Sequence, residues 1–101
     1  MSTVGTKERN PITEQITLAS TTQAKKIAEV YGGHVLVIYT YASNTSDIYI
    51  GDALVNAKTG FPIAKGGSLS VNLTQGVAIN ECVVFYALAA TANDKLYTII
   101  I

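Results

Sequence analysis

The chain has 101 residues with seven basic and seven acidic side chains, so its formal net charge is zero. That length fits one domain and excludes a separate cofactor-binding domain. Hydrophobic residues make up 49% and charged residues 14%, which argues against general disorder. The basic residues are not clustered, which argues against a nucleic-acid partner. Zero net charge also indicates that another chain covers part of the surface.

The N-terminal segment is polar, with Lys7 and Arg9 where a signal peptide would have its apolar stretch. We therefore expect no secretory signal and synthesis in a cytoplasm. Residues 30–46 are free of charge but contain too many glycines and hydroxyls for a membrane span. We predict an N-terminal arm at residues 1–11 and a β-domain at 12–101. An extended arm would reach roughly 35 Å, so it either crosses a neighbouring subunit or is a frayed terminus.

Strand signals follow the arm along the chain, since β-branched residues are abundant and pack well on a pleated sheet. The clearest period-two alternation runs from Ser68 to Thr74 and places its three aliphatic side chains on one buried face. Residues 34–41 and 82–89 are apolar on both faces, so each lies in the middle of a sheet under a second layer or faces a partner. Further strands are predicted at Ile12–Ala19, Asp47–Gly51 and Lys95–Ile101.

Turn residues separate these segments at regular spacing, and no run is long enough for a crossover helix. We predict an all-β, antiparallel β-sandwich or barrel-like domain of jelly-roll or immunoglobulin size, with about seven to eight strands. Residues 21–30 are interpreted as a strand or irregular turn, with a one-turn helix as the alternative, because Ala24, Ile27 and Ala28 fit a helical stripe. The apolar ending Ile99–Ile101 indicates a last strand paired inside a sheet or at an interface.

The residues offer little for catalysis. His34, the single histidine, follows two glycines at the start of a strand and is interpreted as a turn or interface residue. The single Cys82 excludes an internal disulfide and a cysteine zinc cage, and we expect a packed thiol. Asp47 and Asp52 would point to opposite faces of a strand, about 16 Å apart. We therefore predict no enzyme, no metal site and no cofactor.

Six tyrosines are the remaining candidates for binding. Exposed on one face, they could stack on a sugar or form a hot spot for a protein. Their period with the strands favours half-buried positions with the hydroxyl at the rim. They are Tyr31, Tyr39, Tyr41, Tyr49, Tyr86 and Tyr97.

Residues 47–71 resemble a run found in small virion proteins of tailed bacteriophages. In that pattern a strand of the form (V/I)Y(V/I)G, here IYIG at 48–51, is followed by TGFP(L/I), here TGFPI at 59–63, then by a glycine turn and an alternating strand. The segment FYALAA at 85–90 and the closing strand are similar to its LYAIA and final strand, so the resemblance covers about residues 30–101. The long stretch 75–81 and the apolar ending depart from the pattern.

The loop of this motif follows Tyr49 and has a simple physical interpretation. Gly51 and Gly60 are expected to permit positive φ, Phe61 to anchor the loop and Pro62 to fix the chain where it re-enters the sheet.

The resemblance implies a β-sandwich that assembles on a capsid, often as a trimer, like head decoration, cement or head-fibre-base proteins. We expect an auxiliary capsid protein of the virion that binds the major capsid protein or other virion proteins and stabilises the shell, with no nucleic-acid or membrane partner. The alternatives are a neck, tail or fibre-base component and a glycan- or host-surface-binding module. The candidate interface residues are Thr6, Lys7 and Arg9 in the arm and Tyr39, Tyr41, Ile99 and Ile101 on strand faces.

Overall fold

The computed structural model describes residues 11–101, which form eight strands and no helix. The strands are β1 (Ile12–Leu18), β2 (Lys25–Tyr31), β3 (Val35–Thr40), β4 (Ile48–Gly51), β5 (Phe61–Ile63), β6 (Ser68–Asn72), β7 (Cys82–Ala89) and β8 (Asp94–Ile100). All pairings are antiparallel.

Two four-stranded sheets pack face to face. Sheet I has the strand order β1-β8-β3-β6 and sheet II the order β2-β7-β4-β5. Every connection in the described chain crosses between the sheets except the one from β4 to β5. This order is that of an eight-stranded jelly roll and differs from the immunoglobulin order, so the all-β sandwich prediction is confirmed and its topology is settled.

The core lies between the sheets and is built by the period-two alternation of the strands. Leu36 and Ile38 of β3 and Leu96 of β8 are fully buried in sheet I. Val30 of β2 and Ile48 of β4 are fully buried in sheet II. Burying such side chains contributes about 1.5–3 kcal/mol each, which makes this layer the main source of stability.

For β3, β7 and β8, the sequence did not decide between a place inside a sheet and a place at an interface. All three strands lie inside the sheets. β3 and β8 are the two central strands of sheet I, and β7 is a central strand of sheet II. In β6 the alternation is also confirmed, with Leu69 and Val71 half-buried on the inner face and Leu73, just after the strand, buried.

The ambiguous segment 21–30 is a strand from Lys25, and its helix-like pattern has a physical cause. The register between β2 and β7 shifts between Lys26 and Ala28, which marks a β-bulge. The bulge turns two consecutive residues, Ile27 and Ala28, toward the core. Two adjacent buried positions break the period of two and imitate a helical stripe.

Polar side chains close one end of the sandwich. Asn44 is buried and pairs with the backbone of Lys95 in both directions, donating from Nδ2 and accepting at Oδ1, each at 2.8 Å. The carboxylate of Asp94 accepts the backbone N–H groups of Thr45 at 3.0 Å and Ser46 at 3.1 Å. These bonds hold the β3–β4 connection against the start of β8, because a buried polar group is costly unless it is paired.

At the opposite end of the sandwich, a close contact between two backbone segments explains why residue 32 is a glycine. The segment after β6 passes directly over Gly32, where an added Cβ would lie 2.2 Å from the carbonyl oxygen of Ala78. Within residues 11–101, positive φ occurs at four other positions, each at a turn between strands: Gly33, Gly66, Gly76 and Asn93.

Candidate functional site

The outer face of sheet I is the most distinctive surface of the described chain. Its residues are the side chains of β1, β8, β3 and β6 that alternate away from the core. They are Thr13, Gln15 and Thr17 of β1, Lys95, Tyr97 and Ile99 of β8, Val35, Val37 and Tyr39 of β3, and Ser68, Ser70 and Asn72 of β6. The two central strands therefore carry mainly apolar or aromatic side chains, while the two edge strands carry only uncharged polar ones.

Two tyrosines lie side by side in the middle of this face. Tyr39 and Tyr97 are direct neighbours across β3 and β8, and they are 45% and 43% exposed. The ring of Tyr41 packs against that of Tyr97 with a centroid separation of 5.4 Å and a tilt of 46°. A shallow depression of about 390 Å³ is bounded by the two exposed tyrosines with Thr13 and Ile99.

The face is nearly free of charge. Lys95 is the single charged residue among the outward-facing side chains of the four strands, and it lies in the row next to the two tyrosines. A solvated sheet face normally alternates with many charged residues, and interfaces are depleted of them. The face shares this low charge with the cores of protein–protein interfaces.

The outer face of sheet II is different because a loop covers one part of it, around Leu88 and Tyr49. The loop from Asp52 to Gly60, here the β4–β5 loop, lies near Leu88 of β7, which is buried although it points away from the core between the sheets. Val55 of the loop is buried as well. A Cβ on Gly60 would lie 2.6 Å from Cβ of Tyr49, so the loop backbone rests directly on β4.

Hydrogen bonds hold this loop in shape. Asp52 Oδ1 accepts the N–H of Leu54 at 2.9 Å, and Asn56 Oδ1 accepts those of Lys58 at 2.8 Å and Thr59 at 3.1 Å. The backbone N–H of Gly60 donates to the carbonyl of Asn56 at 2.8 Å. The local polar side chains therefore satisfy the backbone of the loop, as in Asx turns.

The rest of the outer face of sheet II carries one ion pair beside the exposed side chains of Tyr31 and Val84. Lys26 and Glu29 of β2 form an exposed salt bridge. The hydrogen bond and the charge of Glu29 raise the pKa of Lys26 above its ordinary value of 10.5. Sheet II therefore differs from sheet I in the loop that lies over part of its outer face and in the ion pair beside its exposed apolar side chains.

The predicted interface residues fall into two groups. Thr6, Lys7 and Arg9 lie outside the described residues. Tyr39, Tyr41, Ile99 and Ile101 all belong to β3, β8 or their continuations, and Ile101 extends sheet I because its backbone exchanges hydrogen bonds with Val35 at 3.0 and 2.9 Å.

The predicted interface did not include three of the apolar or aromatic side chains on the central strands of this face: Val35, Val37 and Tyr97. The structure brings them together with the predicted residues because β3 and β8 are neighbours. The period-two signal that selects Tyr39 and Ile99 also selects them, but the pairing of the two strands is not visible in the sequence.

The residues of the loop motif suit their positions for reasons other than the predicted ones. Gly51 and Gly60 do not have positive φ; they are needed because a Cβ at either position would lie within 2.8 Å of the Val55 side chain. Phe61 is not a buried anchor, since it is 57% exposed at the edge of sheet II. Pro62 lies in the short edge strand β5 opposite Tyr49, where a missing N–H is tolerated.

The structure corrects the prediction for Cys82 and refines the prediction for His34. Cys82 is exposed at the start of β7 and is not a packed thiol. The prediction was wrong because the outer side of β7 is not covered at this end of sheet II. His34 lies in the turn before β3, as predicted, with Nδ1 at 3.3 Å from the carbonyl oxygen of Ile101.

Within residues 11–101, no group of three or more His, Cys, Asp or Glu side chains is placed to hold a metal ion. The same part of the chain has no helix long and apolar enough to cross a membrane. Comparisons with protein-family models, with curated proteins and with solved structures found no match.

Proposed function

We propose that this protein is a structural component of a bacteriophage particle, an auxiliary capsid protein of the decoration or cement type. The observation that carries the proposal is the outer face of sheet I, which has an apolar centre and an uncharged polar margin. An exposed face of this composition favours protein association over solvation.

Two further observations support the proposal. The phage-like motif of residues 47–71 is built into β4, the β4–β5 loop, β5 and β6, which are consecutive parts of the sandwich. The jelly roll is also common among viral capsid domains, although it occurs in lectins and enzymes as well, so this support is an analogy of fold. In the proposed role the protein binds the shell through many weak contacts, which multivalency makes sufficient.

The copy number of the chain in virus particles tests this proposal. Particles purified from the host that carries the gene would be analysed by quantitative mass spectrometry against labelled peptides of this chain and of the major shell protein. Hundreds of copies per particle are expected for a protein that covers the shell. About a dozen copies, as in a single ring, would reassign it to the neck, tail or fibre base. Absence from the particles would overturn the virion proposal.

A second candidate function is glycan binding, and one observation favours it. Exposed Tyr39 and Tyr97 lie next to each other, with Gln15 on one side and Ser68 on the other in the same cross-strand row. Aromatic rings flanked by amide and hydroxyl groups can stack on a sugar and hydrogen-bond to it. Titration with a panel of hexasaccharides, followed by tyrosine fluorescence, tests this function. Saturable quenching that Tyr97→Ala abolishes would support it.

A further inference from the structure

The outer face of sheet I has a repeated pattern that becomes visible when its cross-strand rows are compared. In the order β1-β8-β3-β6, one row has Gln15, Tyr97, Tyr39 and Ser68. The next row has Thr13, Ile99, Val37 and Ser70. Each of these two rows therefore has the same order of side-chain types from either edge of the sheet. The first row is polar, aromatic, aromatic, polar. The second row is hydroxyl, β-branched, β-branched, hydroxyl.

The next row along the strands continues the pattern at its centre. Ile101 and Val35 exchange backbone hydrogen bonds and form a third pair of β-branched side chains across β8 and β3. On the other side of the tyrosine row, Lys95 lies across from Tyr41, whose N–H donates to the Lys95 carbonyl at 3.3 Å. The mirror-like order of the Tyr97–Tyr39 and Ile99–Val37 rows is centred on the boundary between β8 and β3, whereas the Lys95–Tyr41 row does not share it.

We propose that this face binds a second copy of the same chain about a two-fold axis that runs parallel to the strands over the boundary between β8 and β3. Rotation about this axis exchanges β8 with β3 and β1 with β6, and it keeps each row at its own height. Tyr97 of one copy then faces Tyr39 of the other, and Ile99 faces Val37. The polar edge strands face each other at the margins.

Charge is compatible with this pairing. The two faces bring no like charges together in the apolar rows, because these rows hold no ionisable side chain other than the tyrosines. Lys95, the single charged member, faces Tyr41 of the other copy, an arrangement that allows a cation–π contact. An isologous two-fold contact requires a self-complementary patch of this kind.

The size of the face sets the expected strength of the pairing. Four strands of five to seven residues, spaced about 4.8 Å apart with a rise of about 3.3 Å per residue, cover ~400 Å² of flat area per copy. Both copies together bury ~800 Å² by this measure, which lies below the ~1,200 Å² of standard specific interfaces and in the range of weak, transient ones. We therefore expect a weak dimer that forms reversibly at micromolar or higher concentrations.

The apolar rows favour a protein occupant over a sugar. A saccharide platform needs the tyrosine row and polar groups beside it, whereas Val35, Val37 and Ile99 extend the apolar centre along both central strands. An apolar centre inside an uncharged polar margin is the arrangement of protein–protein interfaces. The inference rests on the proposed function in one respect, since both assign assembly to this face.

Sedimentation velocity of the full chain over a range from about 1 to about 300 μM tests the pairing. The unmodified chain is expected to shift from monomer to dimer across this range. Val37→Lys buries a charge opposite Ile99 of the other copy, where no aromatic ring can receive it, and is expected to raise the dissociation constant at least tenfold. Tyr31→Lys is the matched control, because Tyr31 is 49% exposed on sheet II and its replacement should leave the dimer unchanged.

A mixing experiment tests the two-fold register itself. Val37→Lys and Ile99→Glu are each expected to be monomeric alone, because each places an unpaired charge in an apolar row. Mixed in equal amounts they should form a heterodimer, since positions 37 and 99 face each other across the axis and the two variants carry opposite charges there. A mixture of Val37→Lys with Tyr39→Glu, which occupy different rows, should stay monomeric.

The outcomes separate this inference from the proposed function. A chain that remains monomeric at the highest concentration, or a trimer as the phage resemblance implies, would overturn the two-fold pairing while leaving the copy-number result intact. Loss of dimer in the Tyr31→Lys control at unchanged folding, checked by circular dichroism, would move the contact to sheet II and also overturn it. Recovery of dimer in the matched mixture alone would support it.

Discussion

The two sheets share one core but present opposite outer faces to their surroundings. Sheet II is partly covered by the β4–β5 loop and carries the Lys26–Glu29 salt bridge, whereas no loop within residues 11–101 covers the outer face of sheet I, whose single charged side chain is Lys95. The cause is topological. The connection from β4 to β5 is the one in the described chain that stays within a sheet, and its loop can fold back over that sheet. Each described connection from sheet I leaves for the other layer.

The jelly-roll order therefore sets how much of each outer face the described chain covers itself. On sheet II, Val55 of the β4–β5 loop is buried over the strands. On sheet I, residues 11–101 leave Tyr39 and Tyr97 nearly half exposed at the centre of the face, which is apolar surface that water solvates poorly.

Removing the cover of sheet II should have the largest effect. Replacement of residues 51–60 by an Asn-Gly turn joins Ile50 to Phe61, the last pair of the hairpin, and exposes Leu88 and Tyr49. We expect a loss of about 2–4 kcal/mol in the free energy of unfolding, from lost burial, and self-association through sheet II. Urea unfolding and light scattering measure the two effects. If the shortened chain does not fold, Val55→Asp is a milder test of the same contact. A variant as stable as the unmodified chain would contradict the covering role of the loop.

A single added methyl group should lift the same loop. Gly60→Ala places a Cβ at 2.6 Å from Tyr49 Cβ and 2.7 Å from Val55 Cγ2, so we expect a destabilisation of about 2–3 kcal/mol through overpacking. Urea unfolding measures it, and hydrogen exchange of the Gly60 N–H should accelerate.

Gly51→Ala is the matched comparison for that variant. Its Cβ would meet only Val55, at 2.8 Å from Cγ2, so Val55→Ala should relieve part of its cost. The same second substitution should relieve Gly60→Ala less, because the clash with Tyr49 remains. Strictly additive free energies in the Gly51→Ala and Val55→Ala pair would show that the loop does not rest on β4 as described.

On sheet I, polar substitution should change solubility more than stability. Val37→Thr with Ile99→Thr keeps β-branched shapes on the outer face, so we expect less than about 1 kcal/mol of change in unfolding free energy. The protein should precipitate at a higher ammonium sulfate concentration because less apolar surface is exposed. A Val84→Thr variant on sheet II also removes exposed apolar surface and should shift the precipitation point in the same direction, but by less, because it changes one residue instead of two. A large loss of stability would mean that these side chains lie in the core.

The smallest effect concerns the charged part of sheet II. The pKa of Lys26 is raised by Glu29, so the stabilisation from this pair is present below the ordinary pKa of 10.5 and is lost as pH rises through the raised value. Because both side chains are exposed, Glu29→Gln should leave the thermal midpoint unchanged at neutral pH. Its thermal midpoint should also follow the same pH curve as the parent up to about pH 9, below the raised value. A clear divergence at lower pH would indicate a stronger pair than the geometry supports.

Much of the fold was predictable from local patterns. The strict alternation of β6, the doubly apolar stretches that become β3 and β7, and the turn glycines all have local causes, because side-chain period and φ preference are properties of short segments. The β2 bulge was not predictable, since two adjacent buried residues can belong to a helix or to a bulged strand.

The candidate site was predictable only in part. Tyr39, Tyr41 and Ile99 follow from strand period and exposure, whereas Tyr97 and Val37 join them because the structure pairs β8 with β3. The roles of Gly51 and Gly60 were mistaken because a shortage of space beside Val55 is a tertiary property that no local pattern contains.

By itself, the sequence determined that this chain is a charge-poor β-domain whose strands alternate between apolar and polar faces. Only the tertiary structure decided which strands are neighbours, and with them which of the two outer faces is covered. The physical reason is the distance along the sequence over which each feature is determined. Alternation and turns are set within a few residues, whereas the pairing of β3 with β8 joins residues some sixty positions apart, and the β4–β5 loop finds its place only after that sandwich exists.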